Sequence, residues 1–549
     1  MRTGYINGKI FTSDVNNLYA DFMVIENGKI IDIGSQDVDA ASSKGLDVEK
    51  LMASCDDVID LKEKCLIPAF VDAHMHPLML SEYNRQISCL PPKVNSISDM
   101  ATEISKVAQD LKNQGLDGSD TPVWIQGWGY DEGKLAENRS PNRYDLDKGT
   151  SDFPVTISRT CGHIRCVNSK ALELAGITKD TKDPQGGQID RDENGEPTGV
   201  LRENARDLVS NLIPSYSFEE RVDALLELEQ LLLSQGIAAV TDMGYLSNED
   251  PYEVYDAAVK RGFKQNVGIY YFWDYFHGTS QDIFSKERQN LNNQIRSCGV
   301  KLIGDGSLSG QTAWMHKPYK DTDNYGLPVY SDELYEDALS YCKKYHCQLA
   351  VHAMGGRAID RIIDSAILES NWMENDIPYV RLEHLTEPTV DAMKKAAANG
   401  IAFVTQPIFL YCEIESYLKN LGPSRTKEAY PIKDILENNV NLAFSTDAPA
   451  TSWAVPSDPF SNLKAAVTRV AYDGTDIGKE NAVDVETAII LYTKNAAQVS
   501  GFTQSGQLKP GYDADFIILS DDIFTIDPNK IDSITVEKTF IKGDCVYTK

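Results

Sequence analysis

His74 and His76 stand one residue apart at the end of the apolar run Leu66-Ile67-Pro68-Ala69-Phe70-Val71-Asp72-Ala73. Strand side chains alternate with a period of two, so imidazoles at this spacing leave the same face. Two imidazoles delivered to one side of a strand's C-terminal end are the makings of half a metal site. The spacing alone fits a polar strand end equally well, so the rest of the chain has to decide. His352 ends Leu349-Ala350-Val351, and His384 ends Val380-Arg381-Leu382-Glu383. Asp447 ends Leu442-Ala443-Phe444-Ser445-Thr446, and Lys301 opens the short run Val300-Lys301-Leu302-Ile303. Separate apolar segments therefore end in His, His and Asp. Structural histidines are common singly. Four of them at strand ends, with an aspartate at another, point to a metal centre.

These segments must be brought together by the fold. Residues 218–234 have helical periodicity, and Ile237-Ala238-Ala239-Val240-Thr241-Asp242 follows as a buried strand. Short apolar strands are predicted at 267–272, 300–303, 348–352, 380–382, 401–404 and 441–444. Helix-like stretches at 332–345, 358–369 and 389–399 separate several of them. Repeated βα units indicate a parallel sheet, and their number favours a TIM-type (β/α)8 barrel, in which all strand C-termini meet at one face.

The two chain ends read differently. Gly4 to Phe11 alternates, Asp21 to Gly34 forms two strands around an Asn27-Gly28 turn, and 58–61, 513–519 and 536–547 have strand character. Neither end carries enough residues for a core of its own. The expected organisation is therefore a composite β-sandwich domain from 1–66 and 505–549, with a barrel over 67–504. An inserted α+β subdomain over 78–215 is expected to lie over the barrel mouth.

Composition excludes some functions. The net charge of −29 disfavours nucleic acid and anionic membrane surfaces as partners. No stretch approaches the roughly 20 apolar residues of a membrane span. Ten scattered cysteines without CxxC, and an N-terminus without a signal-like apolar run, suggest a cytoplasmic protein with reduced thiols.

The pattern of His-x-His, two later strand-end histidines and a strand-end aspartate resembles the amidohydrolase superfamily. The stretches 305–313, 351–358, 381–384, Gln406-Pro407 and 445–449 resemble its branch of N-substituted formamide deformylases and YtcJ-like proteins, as do 162–172 and 199–203. Asp513-Ala514-Asp515-Phe516 is similar to the end of the superfamily's small β domain. The resemblance implies that His74, His76, Lys301, His352, His384 and Asp447 hold one or two divalent metals. Lys301 would be carboxylated and bridging. Zinc suits the ligand types, with manganese or iron compatible.

It further implies hydrolysis by metal-activated hydroxide, with Asp447 as proton shuttle and His163 steadying the carbonyl oxygen. The expected substrate is a small molecule with a C–N amide-type bond. The same site would serve ester, cyclic amide or amidine hydrolysis, and a catalytically silent binding relative is the remaining alternative. Homodimers are common among relatives. Two departures bear on substrate. The branch usually has Ser-Leu-Gly-Ser-Arg-Thr-Ala where this chain has Ser-Leu-Ser-Gly-Gln-Thr-Ala, so Gln311 replaces a cation. The histidine-strand motif usually continues Gly-Asp, and here it is Gly355-Gly356. Trp128, Gln311 and Trp314 are the candidate substrate-binding residues, with Trp124, Phe409 and Tyr411 as further aromatics for an apolar pocket.

Overall fold

The computed structural model describes residues 1–35, 48–117, 121–160, 164–246, 249–273 and 283–549. The chain divides into two compact units. One comprises Met1–Leu78, Leu225–Thr451 and Ser457–Lys549, and the other Met79–Ala224 and Ser452–Pro456.

The larger unit contains an eight-stranded, all-parallel sheet. Its strands are β1 (Phe70–Met75), β2 (Ile237–Asp242), β3 (Asn266–Phe272), β4 (Ile295–Ile303), β5 (Gln348–Ala353), β6 (Val380–His384), β7 (Ala402–Thr405) and β8 (Asn441–Phe444). They pair in chain order from β1 to β8. Across the remaining seam, Asp447 N–H donates to His74 O at 2.7 Å and His76 N–H donates to Ala448 O at 2.8 Å. The sheet is thus a nearly closed barrel, and its last seam is bridged by the chemically interesting residues. Val71, Ala73, Ala239, Ala402, Val404 and Ala443 form one apolar cluster with Ala496, Ala497 and Val499. The last three lie on the helix Lys494–Val499. Small side chains there let helix and strands approach closely.

One strand is longer than its sequence suggests. β4 begins at Ile295, not at Val300, so Lys301 lies in its last third instead of opening it. Arg296 and Ser297 hide the first half, since both are polar yet buried. Arg296 Nη2 donates to Ser500 O at 3.1 Å while its guanidinium lies over Phe502, and Ser297 Oγ is 3.2 Å from Tyr271 OH.

The same unit holds a second sheet built from both chain ends. The strands Asp544–Thr548, Val536–Ile541, Phe516–Leu519, Cys65–Pro68, Arg2–Phe11, Tyr19–Glu26 and Lys29–Gly34 lie in that order, with Asp57–Asp60 pairing beside Arg2–Phe11. Its core includes Tyr5, Ile10, Met23, Leu66, Phe516 and Phe540, so neither end is buried without the other. The turn between the second and third N-terminal strands has φ of 51° at Asn27 and 79° at Gly28. That left-handed pair suits a right-twisted hairpin.

The smaller unit is a six-stranded sheet in the order Gly187–Arg191, Pro197–Glu203, Ile164–Val167, Val155–Arg159, Ile125–Tyr130, Ile87–Ser88. The helix Ile97–Asn113 buries Ile97, Met100, Ile104 and Ala108 at helical spacing in one core with Ile87, Val155 and Ile157. Ser96 caps it, accepting from Asp99 N–H at 3.0 Å. Among the described residues no helix is long and apolar enough to cross a membrane.

Candidate metal centre

His74 is the penultimate residue of β1, and His76 follows it directly. Both present Nε2 to one carboxylate oxygen: His74 Nε2 lies 3.3 Å and His76 Nε2 3.4 Å from Asp447 Oδ1. The other ring nitrogens are occupied. His74 Nδ1 is 2.6 Å from Glu383 Oε2, and His76 Nδ1 is 2.8 Å from the Gly244 carbonyl. An Nδ1–H held by an acceptor leaves Nε2 as a lone pair, the arrangement of a histidine poised to ligate a metal.

His384 ends β6, with Nδ1 2.9 Å from Gln406 Oε1. Gln406 is fixed in turn, because its Nε2 donates to Ser445 Oγ at 2.8 Å. His74, His384 and Asp447 each offer a ligand atom within 4.8 Å of the others. His352 on β5 joins from the next strand, its ring centroid 4.4 Å from that of His384. Its Nε2 is 3.0 Å from Gly306 O, which leaves Nδ1 as the free nitrogen. Burial, helped by the Lys301 charge, lowers the His352 pKa to about 4, so the ring is neutral and able to ligate.

Glu383 and His384 are consecutive, and regular strand alternation would send them to opposite faces. His384 has φ of 80° and Leu385 of 62°, and this left-handed pair breaks the alternation at the strand's end. Asp447 likewise sits at φ 57°. Non-glycine residues in this region carry strain that the surrounding fold must hold.

Lys301 faces the same region from β4, in register with Phe272 and Ala350. Its Nζ is buried with no hydrogen-bond partner among the described residues. Burial, opposed by the Glu383 and Asp447 charges, brings its pKa down to about 8. A buried, partnerless amine beside carboxylates and imidazole lone pairs is what a missing cation or a modified lysine would leave. Burial pushes the Asp447 carboxyl up, but the His74, His76 and His384 imidazoles outweigh it and hold it well below the usual range. The donor set therefore fits a divalent metal: imidazoles that can each turn a nitrogen inward, with burial holding the His352 and His384 pKa values down, an ionised carboxylate and an amine that readily loses its proton.

The sequence reading gave no role to the ion pair beneath this cluster. Arg381 Nε donates to Glu383 Oε1 at 2.5 Å and Arg381 Nη2 to Ala73 O at 2.6 Å, with both side chains fully buried. The signal was present: opposite charges two apart on one face of a buried strand must find each other or a cation. Phe272 has no sequence signal as a neighbour of the ligands, whereas Phe409 is among the aromatics expected to line a pocket. Phe272 stacks beside His76 and Phe409 beside His384, at centroid separations of 6.0 and 5.9 Å. Gly244 makes the first stack possible, since a Cβ there would lie 2.5 Å from the Phe272 ring.

Gln311, Trp314, Gly356 and Trp128 each have local contacts of their own. Gln311 Nε2 donates to Asn420 Oδ1 at 2.7 Å, so its amide joins two loops. The Trp314 ring sits 5.8 Å beneath Arg361. Trp314 N–H donates to Asp305 Oδ2, whose other oxygen is 3.6 Å from His352 Nε2. Gly356 has a local reason, because a Cβ there would meet the His316 ring at 2.6 Å. His316, held by Asp360 at 2.8 Å, fills the space that the branch's usual aspartate would take. Trp128 belongs to the smaller unit, where its ring packs edge-on against Tyr83. His163 lies outside the described residues.

Comparison with known proteins agrees with this geometry. Residues 57–547 match the model of the Amidohydrolase family. The chain is 30% identical to the putative amidohydrolase YtcJ of Bacillus subtilis over 89% of this chain and 90% of that protein. It is 24% identical to the N-substituted formamide deformylase of Arthrobacter pascens over 99% of this chain and 98% of that one. Among solved structures, an uncharacterized metal-dependent hydrolase from Pyrococcus horikoshii OT3 superposes with a TM-score of 0.71 at 26% identity, covering 96% of this chain and 99% of its own. The chain belongs to the amidohydrolase family and is a metal-dependent hydrolase.

Proposed function

We propose that the protein hydrolyses a C–N amide-type bond in a small molecule, with His74, His76, Lys301, His352, His384 and Asp447 holding one or two divalent cations, zinc by ligand preference. The observation that carries this reading is the convergence of two Nε2 atoms on one Asp447 oxygen, beside a buried Lys301 amine without a partner. The bound cation supplies Lewis acidity, polarising a carbonyl and lowering the pKa of water to about 7.

The protein's own groups do the rest. Asp447 is ionised across the neutral range, so it takes a proton from the attacking water and delivers it to the leaving nitrogen as the C–N bond breaks. Glu383 and the Gly244 carbonyl keep the His74 and His76 protons on Nδ1. Lys301, as a neutral amine, adds carbon dioxide at Nζ with loss of a proton, turning a cationic side chain into a carboxylate ligand. Phe272 and Phe409 give the site apolar walls. The choice of an amide bond draws support from the similarity to the N-substituted formamide deformylase.

A panel of N-formyl, N-acetyl and cyclic amides, offered to zinc- and manganese-loaded protein, tests the reading. Asp447→Asn should lower kcat on any amide turned over by about 100-fold or more. A wild-type rate in that variant contradicts the role given to Asp447.

A further inference from the structure

The sheet of the smaller unit buries apolar side chains on both faces, in two separate clusters. Ile87, Gly127, Ile157 and Cys166 are cross-strand neighbours, and Ile87, Ile157 and Cys166 face the core beneath the helix Ile97–Asn113. The adjacent row of the ladder is Ser88, Trp128, Ser158 and Arg165, continuing to the buried Leu201 and Ile189, so the first four side chains share the opposite face and adjoin its apolar cluster. Thr156, one row along, lies on that face too.

This face is rich in donors that nothing satisfies. Ser88 Oγ, Trp128 Nε1, Thr156 Oγ1 and Arg165 Nε are all buried without a hydrogen-bond partner among the described residues. Trp128 is only 9% exposed. Natural proteins leave few buried polar atoms unpaired, so four on one sheet face call for an explanation. Among the described residues the Arg165 guanidinium forms no ion pair either. Burial and the neighbouring Arg206 both lower its pKa, and only Tyr83 and Asp207 act weakly the other way. A half-buried cation without a counter-charge is costly unless a ligand supplies one.

We infer that this face of the insert binds an organic carboxylate, with Arg165, Trp128 and Ser88 as its donors. The chemistry selects the class. All three groups offer N–H or O–H, which a carboxylate's two oxygens can accept. One guanidinium matches a monoanion better than phosphate, which is partly dianionic at neutral pH. The Tyr83 and Trp128 rings, edge to face with centroids 4.9 Å apart, supply an apolar flank for the ligand's body. The inference does not depend on the amide reading of the metal centre.

Calorimetric titration of the full-length protein with benzoate tests it, with benzamide and inorganic phosphate as comparators. Saturable benzoate binding is expected, with both comparators weaker. Arg165→Gln should weaken benzoate at least about ten-fold, as expected for loss of a charge-assisted hydrogen bond. Trp128→Phe, which keeps the ring and removes the N–H, should weaken it a few-fold, with thermal melting confirming that both variants fold. Three results overturn the inference: no saturable binding up to about 10 mM, equal affinity in folded Arg165→Gln, or binding that disappears on chelation and ignores Arg165.

Once a turned-over amide is known, inhibition kinetics identify the carboxylate's source. Competitive inhibition that is lost in Arg165→Gln marks it as part of the substrate. Non-competitive modulation lost in the same variant marks a separate ligand.

Discussion

His74 Nδ1 and Glu383 Oε2 meet at 2.6 Å across 309 positions of sequence, and Arg381 holds the other oxygen of the same carboxylate. Strand β1 is thereby locked to β6 through a buried charge pair directly below the candidate metal ligands. Glu383→Gln removes the negative charge that faces Arg381 and weakens the acceptor for His74. Metal affinity, measured by competition with a chromophoric chelator, should fall about 10- to 100-fold. Stability should fall by about 3–5 kcal/mol, because Arg381 is left buried and unpaired. Unchanged values for both would mean that the pair does not orient His74.

Lys301 must lose its proton before it can be carboxylated. With its pKa brought down to about 8 by burial, the neutral amine is a minor form at pH 7 and the major form at pH 9. Bicarbonate-dependent metal uptake by stripped, decarbonated protein should therefore be faster at pH 9 than at pH 7. Lys301→Arg keeps the charge and cannot be neutralised, so it should abolish the bicarbonate effect and lower activity by about 100-fold or more. Metal uptake indifferent to bicarbonate would leave Lys301 as a plain amine.

Much of this site was legible in the sequence, and the omissions have physical causes. His74, His76, His352, His384 and Asp447 were readable because each follows an apolar run, and parallel barrel strands bring such ends together. Lys301 was found but misplaced along its strand, since buried Arg296 and Ser297 interrupt the apolar signal of β4. Glu383 was passed over because alternation allows only one of Glu383 and His384 to face the centre. The positive φ at His384 that evades this rule is set by the strand-end geometry, and no glycine or turn dipeptide marks it in the sequence. Gln406 appeared only as part of a motif, and its bond to His384 depends on the orientation of two neighbouring strand ends.

Asp515, in the sheet formed by the chain ends, gives a pH test remote from the metal centre. Burial raises its pKa to about 6, and the Lys542 N–H at 2.8 Å and Ser505 hydroxyl at 3.0 Å offset this only partly. The folded state then binds the proton more tightly than the unfolded state. Its stabilising contribution is present below the unfolded pKa of about 4 and is lost as pH rises through about 6. Asp515→Asn cannot ionise; its Oδ1 still accepts from Lys542 N–H, while its amide N–H donates to Ser505 Oγ in place of accepting from it. Its stability relative to wild type should rise by about 2–3 kcal/mol between pH 4 and pH 7, read from denaturant unfolding. A difference independent of pH would contradict the buried titration.

The strand-end histidines and Asp447 are proposed to hold the metal that hydrolysis needs. Metal content of the purified protein, measured by elemental mass spectrometry, tests it most directly when wild type is compared with the double variant His74→Ala/His384→Ala. At least about one divalent metal per wild-type chain is expected, with near loss of it in a double variant that still shows a folded circular dichroism spectrum. Wild-type protein that is metal-free and cannot be loaded, or a double variant that retains the full wild-type metal content, would contradict it.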